Sequence, residues 1–128
     1  MLPPPDKEFL ARKGLAYEVT PEAGMTCVVI PQLRLPPGLI PGQADLLFRL
    51  AAGYPDVPPD MWWFHPALQR ADGVPIPATE SMENHLGRIW QRWSRHLPDG
   101  SWLPGVDTLE SFFTLVMKEL QANSRSAA

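Results

Sequence analysis

The sequence predicts an α+β fold: an antiparallel β-meander with an N-terminal helix and a C-terminal helix packed on one side of it. Three observations predict it. Leu109, Phe112, Phe113, Val116, Met117 and Leu120 fall at the spacing of one apolar helical stripe. Short runs rich in β-branched and aromatic residues, such as MTCVVI at 25–30 and MWWF at 61–64, read as strands. Sixteen prolines are spread along the chain rather than gathered in one linker, so the elements must be short and joined by stiff loops.

Taken in order, residues 7–13 are a predicted helix, with Asp6 as its cap and Gly14 as its stop. Phe9 and Leu10 face the core. Residues 15–19 continue that entry or open a strand, and 21–24 signal a turn. Residues 25–30 suit a strand buried on both faces. Pro31 weakens its continuation and leaves 33–35 as a short extension or an edge. The segment 36–42 is a loop of prolines and glycines. Residues 44–51, ADLLFRLA, fit a strand or a short helix, and their limited length between Gly and Pro favours the strand.

The stretch 54–66, YPDVPPDMWWFHP, organises the rest. Its prolines exclude helix and central strand over 54–60, so a rigid, extended passage should lead into a third meander strand at 61–64. Adjacent Trp62, Trp63 and Phe64 must pack at least one face on the core, against the C-terminal helix. The Pro58–Pro59 bond is a candidate cis bond. Residues 67–82 lack periodicity and carry Asp72-Gly73, Pro75 and Pro77, which predicts a long surface loop. Leu86, Ile89, Trp90 and Trp93 then sit at helical spacing, so 84–93 reads as a helix despite the cost of Gly87. Turns over 98–105 precede the last helix, for which Asp107 and Glu110 form a variant capping box. Residues 123–128 are a polar tail expected to fray.

Composition bounds the function. A chain of 128 residues reads as one domain, 1–128, long enough for a core without disulfides. A net charge of −3 offers no basic face for nucleic acid. A single cysteine excludes an internal disulfide and a multi-thiolate metal site, and His65, His85 and His96 match no local ligand spacing. No glycine-rich phosphate loop is present, so no cofactor is expected. No apolar run is long enough to cross a bilayer, and the N-terminus lacks a signal-peptide layout, so the expected location is the cytoplasm.

Tyr54-Pro55, Pro58-Pro59, His65-Pro66 and Trp102-Leu103-Pro104 occur in that order, with a helix following from Thr108. On these residues, over 25–122, the chain resembles the ubiquitin-conjugating (E2) fold. It looks similar to divergent bacterial E2-like proteins found with adenylating E1-like enzymes and ubiquitin-like modifiers. The resemblance implies a carrier that takes a modifier's C-terminal glycine from an E1-like enzyme and passes it to an amine of a target protein. The departures are specific. The family's Asn after His-Pro is Ala67 here, so its oxyanion-stabilising amide is missing. Counting back eight residues from Trp102, to where the family keeps its cysteine, gives Ser94. The one thiol, Cys27, lies in the first long strand, and the stretch from His65 to Ser94 is longer than the family's.

By this resemblance Ser94 stands at the nucleophile's place, and its acyl product would be an oxyester. A serine hydroxyl is a far weaker acid than a thiol and needs a neighbouring base. His96 shares a face with Ser94 if the segment is extended, and His85 serves if the loop folds back. Asp99 is the candidate partner that orients His96. Arg95 is the candidate for pairing a carboxylate or stabilising an oxyanion. The plainer alternatives stand beside these. Ser94 also reads as a polar loop residue in an inactive E2-like binding module that holds a ubiquitin-like protein or scaffolds the conjugation complex; an unrelated small α+β protein remains if the matching pieces are chance. His65 with Pro66 reads as a packed structural turn, Cys27 as a small buried hydrophobe, and Trp90 and Trp93 as core. Lys7, Arg12 and Lys13 form the E1-facing side by resemblance, or a solvated helix face by composition.

Overall fold

The computed structural model describes residues 2–124. Its first element is α1 (Pro4–Arg12), which begins one turn earlier than predicted, after Pro3. Prolines suit the first turn, where a missing N–H has no partner to lose. Asp6 is therefore inside α1 and is not its cap. The helix ends as expected near Gly14, which takes φ +67°. The strands are β1 (Glu18–Glu22), β2 (Met25–Arg34), β3 (Leu39–Ile40), β4 (Gln43–Leu50), β5 (Trp62–His65), β6 (Gln69–Arg70), β7 (Met82–His85) and β8 (Arg88–Trp93), followed by α2 (Leu109–Ala122).

One antiparallel sheet has the order β1-β2-β4-β5-β8-β7, and β3 pairs separately with β6. Ala23 and Gly24 both have positive φ and close a two-residue hairpin between Glu22 and Met25. The predicted turn is thus shorter than 21–24, because Pro21 and Glu22 belong to edge strand β1. Past Pro31 the β2–β4 register shifts, with Gln32 at φ +51° and its N–H donating to Asp45 Oδ1 at 2.8 Å. That bulge lets β2 continue to Leu33 and Arg34. The expected extended passage at 54–60 is instead a series of turns as far as Val57, with Val57 N–H bonded to Gly53 O at 3.0 Å. The cis bonds are Ile40–Pro41, Tyr54–Pro55 and His65–Pro66, not Pro58–Pro59.

Alternation sorts each strand's side chains to two faces. Val28, Ile30, Leu46, Phe48, Trp62, Phe64 and Trp93 join Phe9 and Leu10 of α1 and the apolar stripe of α2 in one core. Both helices lie on that side, and Phe9 and Phe113 join them edge to face at 5.5 Å between ring centroids. The opposite face buries Cys27, Val29, Leu47, Trp63 and Trp90 in a second, smaller cluster. The sheet curls over this cluster: Leu86, in the β7–β8 turn, donates its N–H to Glu22 Oε2 of β1 at 2.8 Å.

The predicted helix over 84–93 is a β-hairpin. Leu86 and Gly87 both take positive φ, the pair that a tight two-residue turn demands. Trp90 and Trp93 are buried on opposite faces, which strand alternation allows and one helical stripe does not. The loop at 67–82 is not wholly superficial: Leu68, Ile76 and Thr79 are buried, and it contains β6. Gln91 fastens its start, accepting Leu68 N–H at 2.9 Å and donating to Leu68 O at 3.0 Å. The capping box of α2 is formed by Thr108 and Ser111 rather than Asp107 and Glu110. Ser124 is buried, so the expected fraying does not begin at 123; residues 125–128 lie outside the described residues.

Gly38 sets up a stability test. It has φ +100°, and a Cβ built there would lie 2.1 Å from the backbone oxygen of Ser124. Gly38→Ala should therefore lower unfolding free energy by about 2–4 kcal/mol, combining a left-handed alanine with a backbone clash. Gly24→Ala, at φ +78° with open space around it, should lose only about 1 kcal/mol. Urea titration of both variants checks this, and equal losses would contradict a clash at Gly38.

Candidate active site

Ser94 follows the last residue of β8, and backbone bonds to two other segments fix its position. Its N–H donates to Ala78 O at 3.0 Å, while Met61 N–H donates to Arg95 O at 3.1 Å. Arg95 N–H also reaches back to Trp93 O at 3.0 Å, so the chain turns sharply about Ser94. Ala78 and Met61 are both left-handed, at φ +57° and +60°. Non-glycine residues in that region cost about 1–2 kcal/mol each, and such strain gathers at functional sites.

The Ser94 hydroxyl accepts a hydrogen bond from Arg92 Nε at 3.0 Å. Arg92 is held in turn: Nη1 donates to Glu83 Oε2 at 2.8 Å and Nη2 to Ser81 Oγ at 3.4 Å. Glu83 is itself fixed, with Trp63 Nε1–H donating to Oε1 at 2.9 Å and His85 Nε2 lying 3.0 Å from the same oxygen. Burial pushes the Glu83 carboxyl up, but hydrogen bonds from His85 and Trp63, with the charge of Arg92, together hold it below the usual carboxylate range. Arg92 is not among the residues singled out from sequence. Two residues ahead of Ser94, it shares that residue's face once 88–93 is a strand, so the mistaken helix hid it.

The other expected residues mostly have partners elsewhere. His96 does not hydrogen-bond to Ser94 among the described residues, since the turn at Ser94–Arg95 breaks the extended geometry that would align positions two apart. His96 Nδ1 instead lies 2.7 Å from Asp60 Oδ1, both groups exposed; Asp60 takes the place expected for Asp99. His85 belongs to the Glu83 cluster and also stands 3.7 Å from Glu22. Arg95 ties α2 to the sheet: Nε donates to Glu119 at 2.6 Å, Nη1 to Pro77 O at 2.9 Å, and its guanidinium lies 5.0 Å from the Trp93 ring centroid. His65 Nδ1 is 2.8 Å from Ile89 O, and exposed Pro66 follows it. Trp62 pairs with Trp93, so His65 lies three residues along β5, roughly 10 Å from the end where Ser94 follows. The His-Pro turn and Ser94 are thus at opposite ends of one strand, so His65 and Pro66 do not stand near Ser94 as the resemblance implies, and this separation counts against a family-like catalytic arrangement.

Trp102 donates its Nε1–H to Pro55 O at 2.8 Å and tilts against the Tyr54 ring, while Pro104 lies in the exposed loop beyond. Lys7, Arg12 and Lys13 are exposed on α1, with Arg12 paired to Glu110 of α2 at 2.9 Å. Cys27 is completely buried, and that burial pushes its thiol up. Asp60, Met61, Trp63 and Glu83 line one cavity of about 410 Å³ with Arg49, so the acidic partners of His96 and Arg92 border the same space, while Ser94, Arg92 and His96 are not in its lining. Among the described residues, no three His, Cys, Asp or Glu side chains gather as a metal site. No helix among them is long and apolar enough to cross a membrane.

The profile described as Prokaryotic E2 family E matches residues 2–123 of this chain. The chain belongs to that family. No curated protein and no solved structure matches it. The family match and the frame of two helices on a curled antiparallel sheet agree with the E2-like fold inferred from the YPxxPP, His-Pro and Trp-x-Pro pieces. In this family E protein two of those pieces also hold the fold together, since Tyr54 bonds to α1 through Asp6 and Pro55 bonds to Trp102.

Proposed function

We propose that this family E protein is an E2-like carrier in a bacterial ubiquitin-like conjugation pathway. It accepts the C-terminal glycine of a ubiquitin-like protein from an E1-like enzyme as an oxyester on Ser94, then passes it to an amine of a target protein. One contrast carries the reading: the half-buried Ser94 hydroxyl lies 3.0 Å from a fixed cation, whereas the one thiol is sealed in the core. In the loading step, Ser94 Oγ attacks the thioester carbonyl carbon, the new C–O bond replaces the C–S bond, and the thiolate leaves. The hydroxyl proton needs a base, and His96, whose Nδ1 lies 2.7 Å from Asp60 Oδ1 but which makes no hydrogen bond to Ser94, is the base this reading assigns. Lys7 and Lys13 offer the E1-like enzyme a basic face on α1.

A second reading, a module that holds the modifier without a covalent bond, is favoured by one observation. The hydroxyl's partner is a guanidinium, which stays protonated and cannot act as a base. Incubation with the E1-like enzyme, a ubiquitin-like protein and ATP separates the two. The carrier reading predicts an adduct that survives thiol but is cleaved by hydroxylamine or base. Ser94→Ala should abolish it, Cys27→Ala should leave it intact, and Ser94→Cys should make it thiol-labile. Absence of any adduct alongside retained modifier binding would support the second reading, and loss of the adduct in Cys27→Ala alone would overturn the site.

A further inference from the structure

We infer that Arg92 is the leaving-group residue of this site, the group that makes a serine ester a usable acyl donor to an amine. The inference rests on the carrier reading above and deepens it. An oxyester is a poorer acyl donor than a thioester because an alkoxide is a far worse leaving group than a thiolate. During transfer, the amine nitrogen attacks the ester carbonyl carbon, the N–C bond forms and the C–Oγ bond breaks. The electron pair of that bond returns to Ser94 Oγ, which takes up the proton released by the amine. As the C–Oγ bond breaks, negative charge shifts from the carbonyl oxygen of the tetrahedral intermediate to Ser94 Oγ, and the site has a donor already aimed at that leaving atom.

Arg92 Nε donates to Ser94 Oγ at 3.0 Å before any reaction takes place. The guanidinium cannot turn away at little cost, since Glu83 Oε2 accepts from Nη1 at 2.8 Å. Glu83 is anchored at its other oxygen by the Trp63 indole N–H at 2.9 Å and by His85 Nε2 at 3.0 Å. Both Arg92 and Glu83 are about seven-tenths shielded, with side-chain exposures of 30% and 31%, which strengthens their charge interactions relative to the open surface. A cation held in place before charge develops needs no reorganisation at the transition state, the arrangement that stabilises developing oxyanions most effectively. Arg95, the arginine singled out from sequence, is committed to Glu119 and Pro77 instead.

The test measures discharge of the pre-charged protein to free lysine in a single turnover, after the E1-like enzyme has been quenched. Arg92→Met should still charge on Ser94 but discharge about 10²-fold more slowly, the cost of removing one oxyanion donor. The same substitution in a Ser94→Cys background should change thioester discharge less than about threefold, since a thiolate leaves without such help. Arg92→Lys should recover part of the oxyester rate. Equal slowing of ester and thioester would show that Arg92 only supports the fold around the site and would overturn the inference, as would wild-type discharge from Arg92→Met. If the wild-type protein forms no ester at all, the carrier reading has failed, and the role given to Arg92 fails with it.

Discussion

Trp93→Ala is expected to lower the unfolding free energy by about 3–5 kcal/mol, the usual range for truncating a buried tryptophan. Trp93 is fully buried, stacked on Trp62 at 6.3 Å and edge-on to Phe64 at 5.6 Å. Its indole N–H donates to Gln91 Oε1 at 3.0 Å, an oxygen that also holds the backbone of Leu68. The substitution removes ring packing from the middle of the core and slackens the clamp on the loop after β5. Small domains are stable by about 5–15 kcal/mol, so much of that margin would go. Trp93→Phe keeps most of the packing and should lose about half as much. Denaturant melts of both variants check the expectation, and a loss below about 1 kcal/mol for the alanine would contradict this placement of Trp93.

Asp6→Ala should cost about 3 kcal/mol, although what Asp6 holds is a pair of neutral donors rather than a cation. The carboxylate is 1% exposed and has two demanding partners. The Tyr54 hydroxyl donates to Oδ2 at 2.6 Å, and the backbone N–H of Leu109, the first residue of α2, donates to Oδ1 at 3.0 Å. One side chain of α1 thus caps the other helix and anchors the proline-rich turns. Removing it strands one buried donor, the Leu109 N–H, and one half-buried donor, the Tyr54 hydroxyl, at about 1–3 kcal/mol for a buried donor left unsatisfied. Burial and the adjacent carboxylate also raise the Tyr54 phenol far above its ordinary range, so the hydroxyl remains a donor throughout ordinary working pH. Asp6→Asn keeps an acceptor for Leu109 and should lose about half as much. Circular dichroism through urea titration measures both; an alanine variant as stable as the parent would show that this bridge contributes nothing.

The fold class and the strands β2, β4 and β5 were legible because composition and period agreed there. Cys27, Val28, Val29 and Ile30 are buried in succession, as an apolar β-branched run with a partner strand on either side must be. The α2 stripe matched its buried residues, with Met117 only partly buried at its margin, because one helix face meets one core. The hairpin at 82–93 failed for a physical reason: two tryptophans buried on opposite faces of a curled sheet imitate the spacing of a single helical stripe. Leucine in the first position of a tight turn, where Asn, Asp or Gly is usual, removed the cue that would have corrected it. That error carried into the site. A helix over 84–93 puts Arg92 and Ser94 on different faces, and the His96 expectation rests separately on an extended segment after Ser94, where the chain turns instead. Asp60 was invisible to local reasoning because it lies thirty-six positions earlier, just before β5, and meets His96 only through the pairing of β5 with β8.

The most direct test is to charge the wild-type protein with a ubiquitin-like protein through its E1-like enzyme, digest the adduct under mildly acidic conditions and locate the attached glycine by peptide mass spectrometry. A C-terminal glycine esterified to the hydroxyl of Ser94 is the predicted result. Attachment at Cys27, at a lysine, or nowhere with a demonstrably active E1-like enzyme would contradict the assignment.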